Sequence, residues 1–167
     1  FAAWLWMTAP AFAADIPADP PANPPRPARV LLLSSYHAQY QWAADIFAGI
    51  EEALADYDQP LEISYEYLDT KRQEETEPYY ELFARLLEFK LRHQPADLLV
   101  LCDNSAFDFV AARRDSLFPS LPVVFCGINN YSPALRAQIP RSTGVAETKE
   151  MGATLDLVRR LHPGIRS

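Results

Sequence analysis

From Arg29 onward, short apolar runs alternate with stretches of helical period, and this alternation limits the possible folds more than any other feature of the chain. Arg29–Ser34 is apolar without a break, as a strand buried on both faces should be. Trp42–Tyr57 places Trp42, Ile46, Ile50, Leu54 and Tyr57 at three- or four-residue intervals and predicts an amphipathic helix. Leu61–Leu68 alternates as a second strand. Glu75–His93 predicts a long helix with an apolar stripe that includes Tyr79, Leu82, Phe83, Leu86 and Phe89, stopped by Pro95. Asp97–Cys102 and Leu121–Cys126 read as the third and fourth strands, with a helix over Ser105–Arg113 between them and Phe118-Pro119 and Pro122 introducing the fourth. Ser132–Gln138 reads as a short helical turn, Thr143–Ala146 as a short strand and Lys149–Leu161 as a last helix ended by Pro163-Gly164. Strands joined by helices of these lengths require right-handed crossovers. The expected fold is therefore α/β, a doubly wound parallel sheet of order 2-1-3-4-5 with helices on both faces.

Before Arg29 the chain changes character. Residues 1–14 form a short apolar run ending in Ala11-Phe12-Ala13, a cleavage-type signature, without the leading Met and basic residues of a complete signal peptide. The expectation is a truncated signal peptide and an exported, periplasmic protein. Residues 15–28 hold six of the fifteen prolines and little to bury, and read as a stiff tether. The formal charge of −7 lies entirely in the part that folds, because Asp15 and Asp19 balance Arg26 and Arg29 over residues 1–30. An acidic surface with no basic stripe argues against nucleic-acid binding. In an exported protein Cys102 and Cys126 have the option of pairing, yet each closes an apolar strand-like run, where buried free thiols are the default reading. His37, His93 and His162 lack ligand spacing, so no metal is indicated. No cofactor is indicated either.

In sheets of this kind ligands sit beyond the carboxyl ends of the strands. The first strand is followed there by Ser34, Ser35, Tyr36, His37, Tyr40 and Trp42, and the second by Asp69, Thr70, Lys71 and Arg72. After the third come Asp103, Asn104 and Ser105, and after the fourth Gly127, Asn129, Asn130 and Tyr131. Four consecutive strand ends thus deliver polar groups to one edge.

Ser35, His37 and Asp103 are the residue types of a hydrolytic triad, but there is no G-x-S-x-G elbow, and a Ser and a His two residues apart on one loop have no triad geometry. The loop after the first strand has no glycine, so it is neither a phosphate loop nor a dinucleotide fingerprint. Aromatic walls with a few polar groups and helix-start amides suit a small-molecule cleft. Each group also has a plain reading: Asn104-Ser105 as a helix cap, Asp69–Arg72 as a solvated turn, His37 as a turn histidine, and Tyr40 and Trp42 as staples between helix and sheet.

Ser35-Tyr36-His37 with Trp42 and Gly49-Ile50, "YLDTKR" (Tyr67–Arg72), "DNSAFDF" (Asp103–Phe109), "LFPSLPVVFCGINN" (Leu117–Asn130) and "TGVAE" (Thr143–Glu147) occur in order. Together they resemble the ABC-transporter substrate-binding-like domains, in the branch that forms the periplasmic sensor region of bacterial histidine kinases and diguanylate cyclases. The resemblance covers about Arg29 to Ile165. It implies a type I periplasmic-binding fold, two lobes closing on a ligand, of which residues 29–146 would be the N-terminal lobe and 147–167 the hinge and the start of the second lobe. It also implies cleft residues Ser35, Tyr36, His37, Trp42, Asp103, Asn104, Ser105, Asn129 and Asn130, with Glu147 at the hinge and half of the cleft supplied by the second lobe. The expected function is binding of a small molecule, without catalysis, as the sensor region of a signalling protein with a membrane-tethered output module. The alternative is a soluble receptor serving an ABC permease; no lipobox cysteine follows Ala13-Ala14-Asp15, which disfavours a lipid-anchored form. A remote alternative is an exported hydrolase of flavodoxin-like topology.

Overall fold

The computed structural model describes residues 26–164. The expected signal remnant, the tether up to residue 25 and residues 165–167 lie outside the described residues. Five strands run through the structure: β1 (Ala28–Ser34), β2 (Leu61–Tyr67), β3 (Leu98–Cys102), β4 (Val123–Ile128) and β5 (Ser142–Ala146). All neighbours are parallel and the order is β2-β1-β3-β4-β5, the doubly wound arrangement that the alternation predicts. The helices are α1 (Gln41–Leu54), α2 (Glu77–His93), α3 (Asn104–Ala112), the single turn α4 (Arg114–Leu117), α5 (Pro133–Ala137) and α6 (Met151–Leu161).

Alternate residues of the central strands build two apolar layers. Leu31, Leu33, Leu99, Leu101, Val123 and Phe125 point to one side and meet Leu87 of α2, Phe107, Phe109 and Val110 of α3, and Ile139. Val30, Leu32, Val100 and Cys102 point to the other and meet Phe47, Ile46 and Ile50 of α1. Each fully buried Leu or Phe contributes about 1.5–3 kcal/mol relative to exposure, so the central strands anchor the fold.

Several elements differ from the sequence expectation. In α2 the face on the sheet is Tyr80, Phe83, Ala84, Leu87 and Leu91, and Leu82, Leu86 and Phe89 of the expected stripe are exposed. Two apolar stripes share this helix, and the one continuous with Leu87 and Leu91 fits the core. Helix α1 ends at Leu54, leaving Tyr57 exposed. Asp56 and Asp58 are unfavourable at a helix carboxyl end, and Pro60 holds the residue before it extended. Strand β4 starts two residues later than expected, because Pro122 has no N–H for the ladder. It then runs on through Gly127, whose φ of 68° accompanies a register shift between Phe125 and Ile128. The turn α4 carries no periodic signal in four residues. Helix α6 forms two residues later than expected and is exposed throughout, Met151, Leu155, Leu157 and Leu161 included.

Candidate functional site

The polar strand ends do converge at the carboxyl edge. Ser35, just beyond β1, has no exposed surface, and every polar group it owns is in use. Its N–H and its hydroxyl both donate to the carbonyl of Cys102, each at 3.0 Å. Its Oγ accepts the N–H of Ala106 in the first turn of α3 at 2.8 Å. Its carbonyl accepts the N–H and the hydroxyl of Thr70, both at 2.9 Å. One serine therefore ties the ends of β1, β2 and β3 to the start of α3. The hydroxyl of Ser34 accepts the N–H of Tyr36 at 3.1 Å and turns the chain outward.

Asp103 is the most unusual residue of the edge. Its backbone takes φ 75° and ψ 167°, a region essentially reserved for glycine and worth about 1–3 kcal/mol of strain for any other residue. The strained conformation is held on all sides. Oδ1 accepts the N–H of Asn104 at 2.6 Å, Oδ2 accepts the phenol of Tyr36 at 2.9 Å, and the backbone N–H donates to Cys126 at 3.0 Å. Only 8% of the residue is exposed. Burial, and then the bond to Asp103, hold the phenol of Tyr36 well above its ordinary pKa, so it stays a donor to Oδ2 of Asp103. Asn104 reaches across to β4: its Oδ1 accepts the N–H of Asn129 at 2.9 Å and its Nδ2 donates to the Asn129 carbonyl at 3.3 Å. The α3 cap thus comes from Asp103 and Ser35, while Asn104 clamps the neighbouring loop and Ser105 sits half-buried in the first turn.

Above this bonded floor stands an aromatic lip. The ring of Tyr36 lies edge-on to Tyr40 at 4.7 Å and to Trp42 at 5.8 Å between centroids. Trp42 in turn rests on the backbone of Gly127, where a Cβ would meet Cζ2 of the indole at 2.8 Å. Trp42 therefore does staple α1 to the sheet, at the carboxyl end of β4. The ammonium of Lys71 sits 4.5 Å from the centre of the Tyr36 ring and 5.4 Å from that of Tyr40, and neither Lys71 nor Tyr40 is among the cleft residues expected from the sequence. The signal for Lys71 was present in the polar run Asp69–Arg72 after β2. Thr70 was signalled by the same run, and its bonds to Ser35 are structural. His37 lies beside Tyr40, 6.1 Å between ring centres, with Nδ1 buried and without a partner. Asn130 is exposed with φ 55° in the turn after β4. Glu147 is exposed just past β5, its N–H donating to Ile128 at 2.9 Å.

Ser35, His37 and Asp103 share this edge without forming a triad. The serine hydroxyl is buried and bonded to Cys102, and the aspartate is bonded to Tyr36 and Asn104. Tyr36, His37, Tyr40 and Trp42 are half-buried at this edge. A hollow of about 430 Å³ lies between α5 and the start of β5 and touches the strand-end residues only at Tyr131. The convergence of polar groups is a better guide to the site than that hollow, half of whose lining residues are Pro, Ala and Ile, the rest being two arginines, Tyr131 and Ser142. Among the described residues no group of three or more His, Cys, Asp or Glu is arranged to hold a metal, and no helix is long and apolar enough to cross a membrane. Comparison with protein-family models, with curated proteins and with solved structures gives no match.

Proposed function

We propose that the carboxyl edge of the sheet is one wall of a small-molecule binding cleft. The single observation that carries this reading is Asp103: a non-glycine residue held in a glycine conformation, with its carboxylate beside an aromatic lip at the place where parallel α/β sheets take ligands. Strain of this kind persists only where surrounding bonds enforce it, and here three neighbouring elements do so. Tyr36, Trp42 and Tyr40 offer ring faces and edges, Asp103 an acceptor and Lys71 a cation, a set suited to a small polar molecule with an apolar part. The half-exposed aromatic lip fits a wall that closes against a second lobe. In that reading the domain is the exported, periplasmic sensor region of a histidine kinase or diguanylate cyclase, lobe closure being passed to a membrane-tethered output module. The alternative, a receptor handing its solute to an ABC permease, uses the same cleft. The gene's downstream sequence separates the two: a membrane span and output module support the first, a stop after a second lobe the second.

The test of the binding reading is a melting-temperature screen of the full-length protein against amino acids, carboxylic acids, sugars, nucleosides and short peptides. A true ligand at a hundred times its Kd adds about 2.7 kcal/mol of stability. The expected result is a rise with one chemical group of compounds, lost in Asp103→Asn and in Trp42→Ala. No rise with any compound, or a rise that survives both substitutions, contradicts the proposal.

A further inference from the structure

Cys102 ends β3, Cys126 lies two residues before the end of β4, and the two are direct partners across the parallel ladder. Paired residues of neighbouring strands project to the same face of a sheet. Here both side chains point to the α1 side, and their sulfurs lie 3.5 Å apart, within contact and unbonded. Cys102 is fully buried, whereas Cys126 keeps part of its surface exposed. The two thiols are unequal chemically as well. The contact with Cys102 draws the Cys126 thiol below its ordinary pKa, while that same contact and burial push Cys102 up. Cys126 is thus the thiol that an external reagent meets first, and Cys102 stands behind it as the only other cysteine in the chain.

We propose that Cys102 and Cys126 form a site of reversible disulfide formation, with Cys126 the attacking thiol and Cys102 the resolving one, and that the bond fastens together the roots of the β3 and β4 loops. The oxidant is a small or protein disulfide. The Cys126 thiolate attacks one of its sulfurs, a mixed disulfide forms as the oxidant's S–S bond breaks, and the departing thiolate takes up a proton. The Cys102 thiolate then attacks the Cys126 sulfur and releases the second half of the oxidant as a thiol. The two cysteines lose two electrons and two protons, and the oxidant disulfide gains them. The new bond would lie one residue before Asp103 and one before Gly127, so it would brace the strained aspartate and the Asn104–Asn129 clamp from below. This chemistry does not depend on the ligand-binding proposal.

The test uses the full chain equilibrated in glutathione buffers from fully reduced to fully oxidised, acid-quenched, alkylated after unfolding and weighed intact. The expected product in oxidising buffer is a monomer lighter by two hydrogens that takes up no alkyl group, returning to two alkylatable thiols in reduced buffer. Cys102→Ser should trap one glutathione on Cys126, and Cys126→Ser should remain unmodified. Hydrogen exchange of the oxidised wild type should slow at 103–107 and 128–130 and stay unchanged in α2. Two free thiols in the most oxidising buffer, a bond between two chains, or a glutathione adduct on wild-type Cys126 that never closes would each overturn the disulfide. Unchanged exchange beside a closed bond would overturn its role as a brace.

Discussion

The two ends of the one sheet are finished in different ways. At the amino edge the closures are mostly surface ones. Arg26 grips Asp97 through two bonds of 2.7 and 2.6 Å, Arg29 reaches Glu62 at 2.9 Å, and Pro60, Pro95, Pro119 and Pro122 shape the turns. The buried Arg114 donates from Nη2 to the carbonyls of Leu121 and Pro140, while its Nη1 is buried without a partner. At the carboxyl edge the polar groups turn inward and brace one another: Ser35 on Cys102, Ala106 and Thr70, Asp103 on Tyr36 and Asn104, Asn104 on Asn129. Both edges contain left-handed residues, Ser120 and Arg141 at one and Asp69, Asp103, Gly127 and Asn130 at the other. Only at the carboxyl edge is such a residue an acidic side chain locked from several directions. One end is closed largely at its surface; the other is braced from within around a strained aspartate.

Substitutions that strike the carboxyl edge should therefore cost most. Gly127→Ala asks an L side chain to adopt φ 68° and drives its Cβ into Trp42. The expected loss is about 3 kcal/mol in urea unfolding, recovered only in part when Trp42→Leu is added, because the clash goes and the strain at φ 68° stays. Full stability in the single variant would mean that Trp42 does not rest on this loop. Next comes Ser35→Ala, which leaves the Ala106 N–H buried without its acceptor; about 1–3 kcal/mol should be lost. A cost below that of a surface substitution would remove Ser35 from the centre of the edge.

Asp103→Gly sharpens the contrast between holding the fold and holding the site. Glycine relieves about 1–3 kcal/mol of strain, while the lost cap costs about 1 and the lost Tyr36 bond a similar amount. Stability should change by less than about 1 kcal/mol in either direction, with ligand response abolished. A large destabilisation would make Asp103 a structural residue alone.

The smallest effect belongs to the amino edge. Arg26 first, then the Arg29 N–H, hold the Asp97 carboxyl down at about 2 from an ordinary 3.8. A depressed carboxylate stabilises the fold above its unfolded pKa and loses that contribution as pH falls toward its folded value. The ion pair should thus matter above about pH 4 and fade between there and about pH 2. Arg26→Ala should raise the Asp97 pKa in an NMR titration and flatten the acid limb of stability, with neutral-pH unfolding hardly moved. A large loss at neutral pH would erase the difference between the edges.

The architecture was legible because periodicity is a local property. Apolar runs, the alternation of Leu61–Leu68 and three-to-four spacing marked the strands and the longer helices, and the crossover rule supplied the order. The place of the site followed from the order. Which face α2 buries was not legible, since Leu82, Leu86 and Phe89 have helical spacing as good as that of Phe83, Leu87 and Leu91. Nor was the direction in which the serines point: Ser34 and Ser35 belong to the edge, yet they are spent inward and the exposed lip is aromatic. The contact between Cys102 and Cys126 needed the ladder register, and the place of Lys71 over two rings needed the loop after β2 folded against the loop after β1.

The most direct measurement is an NMR map of the isotope-labelled full chain during titration with mixtures of small polar and aromatic fragments, which requires no knowledge of the natural ligand. The account predicts that shifts gather at Tyr36–Trp42, Lys71, Asp103–Ser105 and Asn129–Asn130, and that Asp103→Gly removes them while the rest of the spectrum stays in place. Shifts gathered at the amino edge, or in the hollow beneath α5, with the carboxyl edge silent, would contradict it.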